Sequence, residues 1–378
     1  MMLALAALAL AQDPLVSAMD LSDDGNTLVV ALSLFPGLLW LDAATGEARE
    51  ARSLHSTARA IAVGERVAVL GLDREVEILG IDPGAASHSF TLRRADGVEG
   101  KSLSESVTLA FGPEGDRLLV AVPGYESVLL DGTARRVAAF GPVDHHLARS
   151  ARWTADGRIL VVRESALGVH DGRDGSLIRM IETGDEVRSM DAHPSLARAS
   201  TGHDVRSLRE WDLETGELLH RATHPEGLDQ LSIGWIGYAP DGSMLAYTTT
   251  SSVMLGLIDL STFERVDVGP FRGGASGVPA AVRWDDEATS VWTLPIWSWV
   301  AHGARIELVG EQRTVVHDAM PEIESRFEAA SKGRAAVHVR GEPRRRSVGV
   351  IDLGSGDFLW RKPSYELHGP FVRLLDGD

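Results

Sequence analysis

Asp144-His145-His146 is the densest run of metal-ligating side chains in the chain. Neighbouring side chains of an extended segment point to opposite sides, so one ion can take only one of the two histidines. Asp144, His145 and His146 are therefore the sole candidate metal ligands, and a solvated polar loop is the competing expectation. His220 and His224 are four apart, a spacing that chelates on a helix but not on a strand. Trp297 and Trp299 share a strand face by the period of two and offer a stacking platform for a flat ligand. The other role open to them is packing between strands, shared with nearby Trp284 and Trp292. Asp42, Asp82, Asp131, Asp171, Asp212, Asp259 and Asp352 each follow an apolar residue and precede a turn. Their expected work is to accept backbone N–H bonds in that turn. Arg344-Arg345-Arg346 reads as a solvated hairpin or a basic patch. Neither Gly97–Gly100 nor Gly269–Gly277 carries the lysine of a phosphate loop. No Ser/His/Asp order, nucleophile elbow or zinc spacing is present, so no catalytic residue and no cofactor are expected.

Composition narrows the classes further. The 378 residues carry 37 Lys+Arg against 54 Asp+Glu, a net charge of −17, which argues against nucleic acid or an anionic membrane as the main partner. With 44% hydrophobic and 24% charged residues the chain has globular proportions. No run of 18 apolar residues is present, so no transmembrane segment is expected. The absence of cysteine removes disulfides, iron–sulfur clusters and thiol catalysis.

The elements that must position these residues recur. Asp24-Gly25, Glu114-Gly115, Asp156-Gly157 and Asp241-Gly242 mark turns, with weaker counterparts at Gly64-Glu65, Pro194-Ser195, Asp286-Glu287 and Lys332-Gly333. From Asp24 to Lys332 the mean step is roughly 44 residues. Each turn lies between a short alternating segment and a β-rich one, the local signal for a hairpin. The Asp-turn anchors follow 15 to 18 residues later in the first six units. Strand, hairpin, strand, loop, strand, hairpin, strand in this length is one propeller blade. The expected fold is all-β, a single closed β-propeller of eight four-stranded antiparallel blades, with seven as the alternative. The units run 15–54, 58–92, 104–140, 147–183, 186–223, 229–269, 279–316 and 323–363, within a propeller of 15–363. A C-terminal tail, 364–378, is expected to pair at the closing seam. A weak helical pattern covers Pro321–Ala330.

Trp211-Asp212-Leu213-Glu214-Thr215-Gly216 resembles the end of a WD40 repeat, with His224 near the place of that family's loop histidine. Ala239-Pro240-Asp241-Gly242 resembles the family's first hairpin. Most other units have Ile-Asp or Leu-Asp in place of Trp-Asp, a pattern similar to the WD40-like and YVTN-type bacterial propellers. Asp352–Trp360 is also similar to a quinoprotein dehydrogenase repeat, but no other unit carries its tryptophan. The resemblance implies a rigid ring whose loops recognise a protein or peptide on one face.

Met1–Ala11 reads as an export signal ending in Ala9-Leu10-Ala11, although no basic residue precedes its apolar stretch. The expectation is therefore a periplasmic or secreted, non-enzymatic scaffold. The alternative is a lactonase-like hydrolase, in which some of Asp144, His145, His146, His302 and His317 converge at the mouth of the channel.

Overall fold

The computed structural model describes residues 16–33, 36–80, 87–94, 107–122, 124–142, 151–163, 165–204, 207–223, 233–249, 255–266, 280–288, 290–295, 304–309, 312–316, 324–341, 345–355, 357–367 and 370. The chain divides into two compact units, one of Met1–Thr91 with Met320–Asp378 and one of Leu92–Ala319. Both are built from four-stranded antiparallel sheets in which each strand pairs with the next in sequence.

In the first unit β1 (Val16–Leu21), β2 (Thr27–Leu32), β3 (Gly37–Asp42) and β4 (Ala48–Ser53) form one sheet. The next is β5 (Ala58–Val63), β6 (Arg66–Gly71), β7 (Glu75–Gly80) and β8 (His88–Thr91). The second unit opens with β9 (Thr108–Phe111), β10 (Arg117–Ala121), β11 (Glu126–Asp131) and β12 (Arg136–Pro142). It continues with β13 (Ala151–Trp153), β14 (Ile159–Arg163), β15 (Ala166–His170) and β16 (Leu177–Glu182). Then come β17 (Val187–Ala192), β18 (Arg198–His203), β19 (Ser207–Asp212) and β20 (Leu218–Thr223). Two further sheets are β21 (Ile233–Tyr238), β22 (Met244–Thr249), β23 (Leu255–Asp259), β24 (Glu264–Val266) and β25 (Ala280–Trp284), β26 (Ser290–Pro295), β27 (Ala304–Val309), β28 (Gln312–Val316). The chain returns to the first unit for β29 (Glu324–Ser331), β30 (Arg334–Gly341), β31 (Arg345–Asp352) and β32 (Phe358–Pro363). The helical pattern at Pro321–Ala330 is overridden: Glu324–Ser331 is a strand that pairs along β30.

Burial explains the strand sequences. The middle strands, such as Thr-Leu-Val-Val-Ala-Leu in β2 and Ile-Leu-Val-Val-Arg in β14, are apolar without alternation because both sheet faces are covered. In β2, Leu28, Val30 and Leu32 pack with Ala336, Val348, Val350 and Trp360 from β30–β32. Val29 and Ala31 pack on the opposite side with Ile61, Val67 and Val69 from β5 and β6. The first sheet is thus sandwiched between the second and the last. Fourth strands are half covered; Ala-Arg-Glu-Ala-Arg-Ser in β4 has no fully buried residue.

First strands of successive sheets lie side by side. Thr108 Oγ donates to the Ala151 carbonyl (3.3 Å) and Trp153 Nε1 donates to that of Ala110 (3.0 Å), an increment that makes β9 and β13 run parallel. Asp191 accepts the Tyr238 N–H at 2.9 Å, and Trp284 Nε1 donates to the Gly237 carbonyl at 3.0 Å. In the first unit Asp20 accepts the Val63 N–H at 2.8 Å. The last sheet meets the first through Trp360 Nε1 to the Ala43 carbonyl (2.8 Å), Arg334 to that of Gly25 (2.7 Å) and Lys362 to that of Gly46 (2.6 Å). Gly46 has φ +70°, and a Cβ there would lie 2.6 Å from the Trp360 ring, so glycine lets the two sheets approach. Leu367, beyond β32, is buried in the same cluster as Val16 and Met19. The rest of the tail lies outside the described residues.

Candidate functional site

The candidate ligands Asp144, His145 and His146, the paired Trp297 and Trp299, and His224, His302 and His317 all lie outside the described residues. Among the described residues no group of three or more His, Asp or Glu side chains is placed to hold a metal ion, and no helix is long and apolar enough to cross a membrane. Of the aromatic set, Trp284 and Trp292 are buried, and Trp284 spends its N–H on the neighbouring strand. Those two indoles are packing residues.

The recurrent aspartates behave as turn acceptors. Asp42 takes the N–H groups of Ala44 and Thr45, Asp131 that of Thr133, Asp171 that of Arg173, Asp212 those of Glu214 and Thr215, Asp259 that of Ser261, and Asp352 that of Ser355. These bonds hold the carboxyls of Asp42, Asp131 and Asp212 below the usual range, with a backbone N–H from Thr45 the largest influence on Asp42 and one from Thr215 on Asp212. For Asp131, burial opposes the fall and the bonds from Thr133 and Arg135 outweigh it. Asp82 lies outside the described residues.

Chemistry-bearing side chains meet in a place that no sequence motif marked, where β17, β18 and β19 face β21. Tyr238 joins two acids: its N–H goes to Asp191 and its hydroxyl to Glu210 at 3.3 Å, while Ser200 Oγ lies 2.6 Å from the same hydroxyl. Asp191 is 3% exposed and forms an ion pair with Arg152 of the preceding sheet at 2.7 Å. Glu210 is 1% exposed, with Arg198 at 3.5 Å and His220 at 3.9 Å from its Oε2. Burial pushes the Glu210 carboxyl up, against the pull of Arg198 and His220. Burial likewise raises the Tyr238 hydroxyl, reinforced by the charge of Glu210. His220 stacks on Phe263 with ring centroids 4.9 Å apart. The cluster can store a proton, but its two acids are sealed from solvent, so it works as an internal polar joint. One signal for it was visible: Met19-Asp20 and Met190-Asp191 stand at the same point of two first strands, and both aspartates accept an amide from the next sheet.

A second feature is a rim. Antiparallel pairing places the first and third hairpins of a sheet at one end. In the second unit that end exposes Glu114, Asp116, Asp156, Asp174, Glu214, Glu217, Asp241, Glu264, Asp286 and Glu287. The arginines there are fewer and already engaged in part: Arg117 binds Asp116 and the Arg173 carbonyl, and Arg158 bridges Asp156 to Glu214. The rim is stiff because its turns are pinned by the aspartates above and by hairpin glycines such as Gly242, φ +72°.

No protein-family model and no curated protein matches this chain.

Proposed function

We propose that the sheets are the blades of one closed eight-bladed propeller, a non-enzymatic scaffold that binds the basic surface of a protein or peptide on its carboxylate-rich rim, and that it is exported after loss of Met1–Ala11. The observation that carries the reading is the rim itself. Exposed carboxylates outnumber arginines on hairpins whose backbones are fixed by internal hydrogen bonds, so little order has to be gained on binding. The polar side chains that do meet are engaged with one another rather than with solvent. Closure is supported by the first sheet, which carries the second sheet on one face and the last on the other. Successive units of about 44 residues and the Trp211-Asp212 pair support a WD40-like ancestry.

The test is a pull-down from the exported fraction with the mature chain as bait. Partners of high pI should be retained at low salt and released at about 0.5 M, where exposed charges are screened. Glu214→Arg with Glu217→Arg should lose them while keeping the fold. Retention that ignores both salt and these changes sinks the rim reading. Mass spectrometry of exported protein should find Gln12 at the N-terminus, and an intact Met1 on it sinks the export reading.

A further inference from the structure

We propose that His203 is the sensor of an acid-released latch that holds the β16–β17 connection onto β18 and β19. The connection, Thr183–Glu186, joins two sheets and is tied at three points. Thr183 donates its N–H and Oγ–H to the Ser165 carbonyl at 2.8 and 2.6 Å. The Arg209 guanidinium binds the Thr183 carbonyl and the Asp185 carboxylate. His203, with no exposed surface, reaches the Glu186 carbonyl through Nδ1 at 3.2 Å.

The hydrogen-bond directions define the protonation state. Nδ1 faces a carbonyl and must carry the proton. Trp211 Nε1–H donates to Thr201 Oγ at 2.8 Å, and the Thr201 hydroxyl donates to His203 Nε2 at 2.8 Å. This chain is complete only while the imidazole is neutral. A second proton on Nε2 would aim a donor at Thr201, strand the hydroxyl hydrogen in a dry site and place a cation beside buried Arg209. The surrounding charges do not rescue it. Asp185 is shared by Arg209 and, at longer range, Arg221; Arg188 holds Glu186 at 3.1 Å and Asp204 at 2.6 Å. Burial first, and then Arg209, bring the His203 pKa down to about 4. Two other buried histidines differ in what they hold. His170 Nδ1 meets the Gly175 carbonyl and His193 Nδ1 accepts the N–H groups of Ser195 and Leu196, so each braces a turn within its own sheet. His203 clamps a connection between sheets, and its protonation frees that connection while the strands beneath keep their ladder.

Amide hydrogen exchange on the full chain between pH 7.5 and 4, corrected for intrinsic rates, tests this. Protection across Asp185–Arg188 should fall about tenfold per pH unit once the medium drops below the ordinary histidine range, while β18 and β19 stay protected. His203→Gln should flatten the dependence, and Thr201→Val, which removes the hydroxyl that needs a neutral Nε2, should move release to higher pH. Protection that persists to pH 4, a profile unchanged by Thr201→Val, or simultaneous loss from the connection and β18–β19 each overturns the latch. If His203→Gln does not fold, the wild-type and Thr201→Val profiles decide.

Discussion

The sheet β1–β4 and the sheet β17–β20 have the same strand order and the same Asp-x-x-Thr-Gly turn, yet opposite interiors. The middle strands of the first bury Leu28, Val29, Val30, Leu38, Leu39 and Leu41 with no polar side chain among them. Those of the second bury Ser200, Thr201, His203, Ser207, Arg209 and Glu210. One blade geometry therefore accommodates two ways of joining neighbours. The apolar joint gains from area removed from water and is indifferent to pH. The polar joint gains little net energy from each bond but loses the desolvation cost of a stranded group when a bond is broken. It is the more specific joint and the more fragile.

The contrast can be broken at its apolar side most heavily. Trp360→Ala removes a buried indole and the bond to the Ala43 carbonyl, and should cost about 4 kcal/mol in urea unfolding. A loss under 1 kcal/mol would mean that the last sheet does not lean on the first. The next effect is on the polar side and comes from pH alone. His203 titrates near 4 in the fold against 6.5 in the unfolded chain, so the unfolded chain takes its proton first on acidification. Its contribution is complete above about pH 6.5, shrinks below it and is gone under about pH 4, for a total near ~3 kcal/mol. His203→Gln should remove that part of the pH profile. Glu210 acts with the opposite sign: its raised carboxyl stabilises at low pH and loses that contribution as pH rises, so Glu210→Gln should favour the variant more at pH 7 than at pH 4.

Smaller effects sharpen the comparison. Gly242→Val should cost about 2 kcal/mol, because φ is +72° and a Cβ there would lie 2.5 Å from the His193 ring. Gly157→Val, at φ +80° with open space around the Cβ, should cost about 1 kcal/mol, and equal losses would mean that His193 yields freely. Tyr238→Phe should cost about 1.5 kcal/mol by stranding Ser200 and Glu210. If it is neutral, the polar joint is held by Asp191 and Arg152 alone.

What was legible in the sequence follows from distance along the chain. The Asp42 and Asp212 turns were readable because donor and acceptor lie two or three residues apart. The four-stranded unit was readable because its hairpins are local. Asp191 with Tyr238, and Thr201 with Trp211 and His203, were not, because their meaning depends on which strands become neighbours. The helical pattern at Pro321–Ala330 misled for the same reason: β30 supplies the partner that makes Glu324–Ser331 extended. Asp144, His145, His146, Trp297 and Trp299 remain sequence candidates outside the described residues.

The bonds between the last sheet and the first also set an order of events. Asp20 and Val63 are separated by 43 residues, whereas Trp360 and Ala43 are separated by 317. Closing the longer loop costs about 2 kcal/mol more chain entropy, so the contacts of Trp360, Arg334 and Lys362 should be the last to form and the first to fray. A circular permutant opened between Ser53 and Ala58, with the old ends joined, would make that junction local and transfer the late step to the contact between β1 and β5.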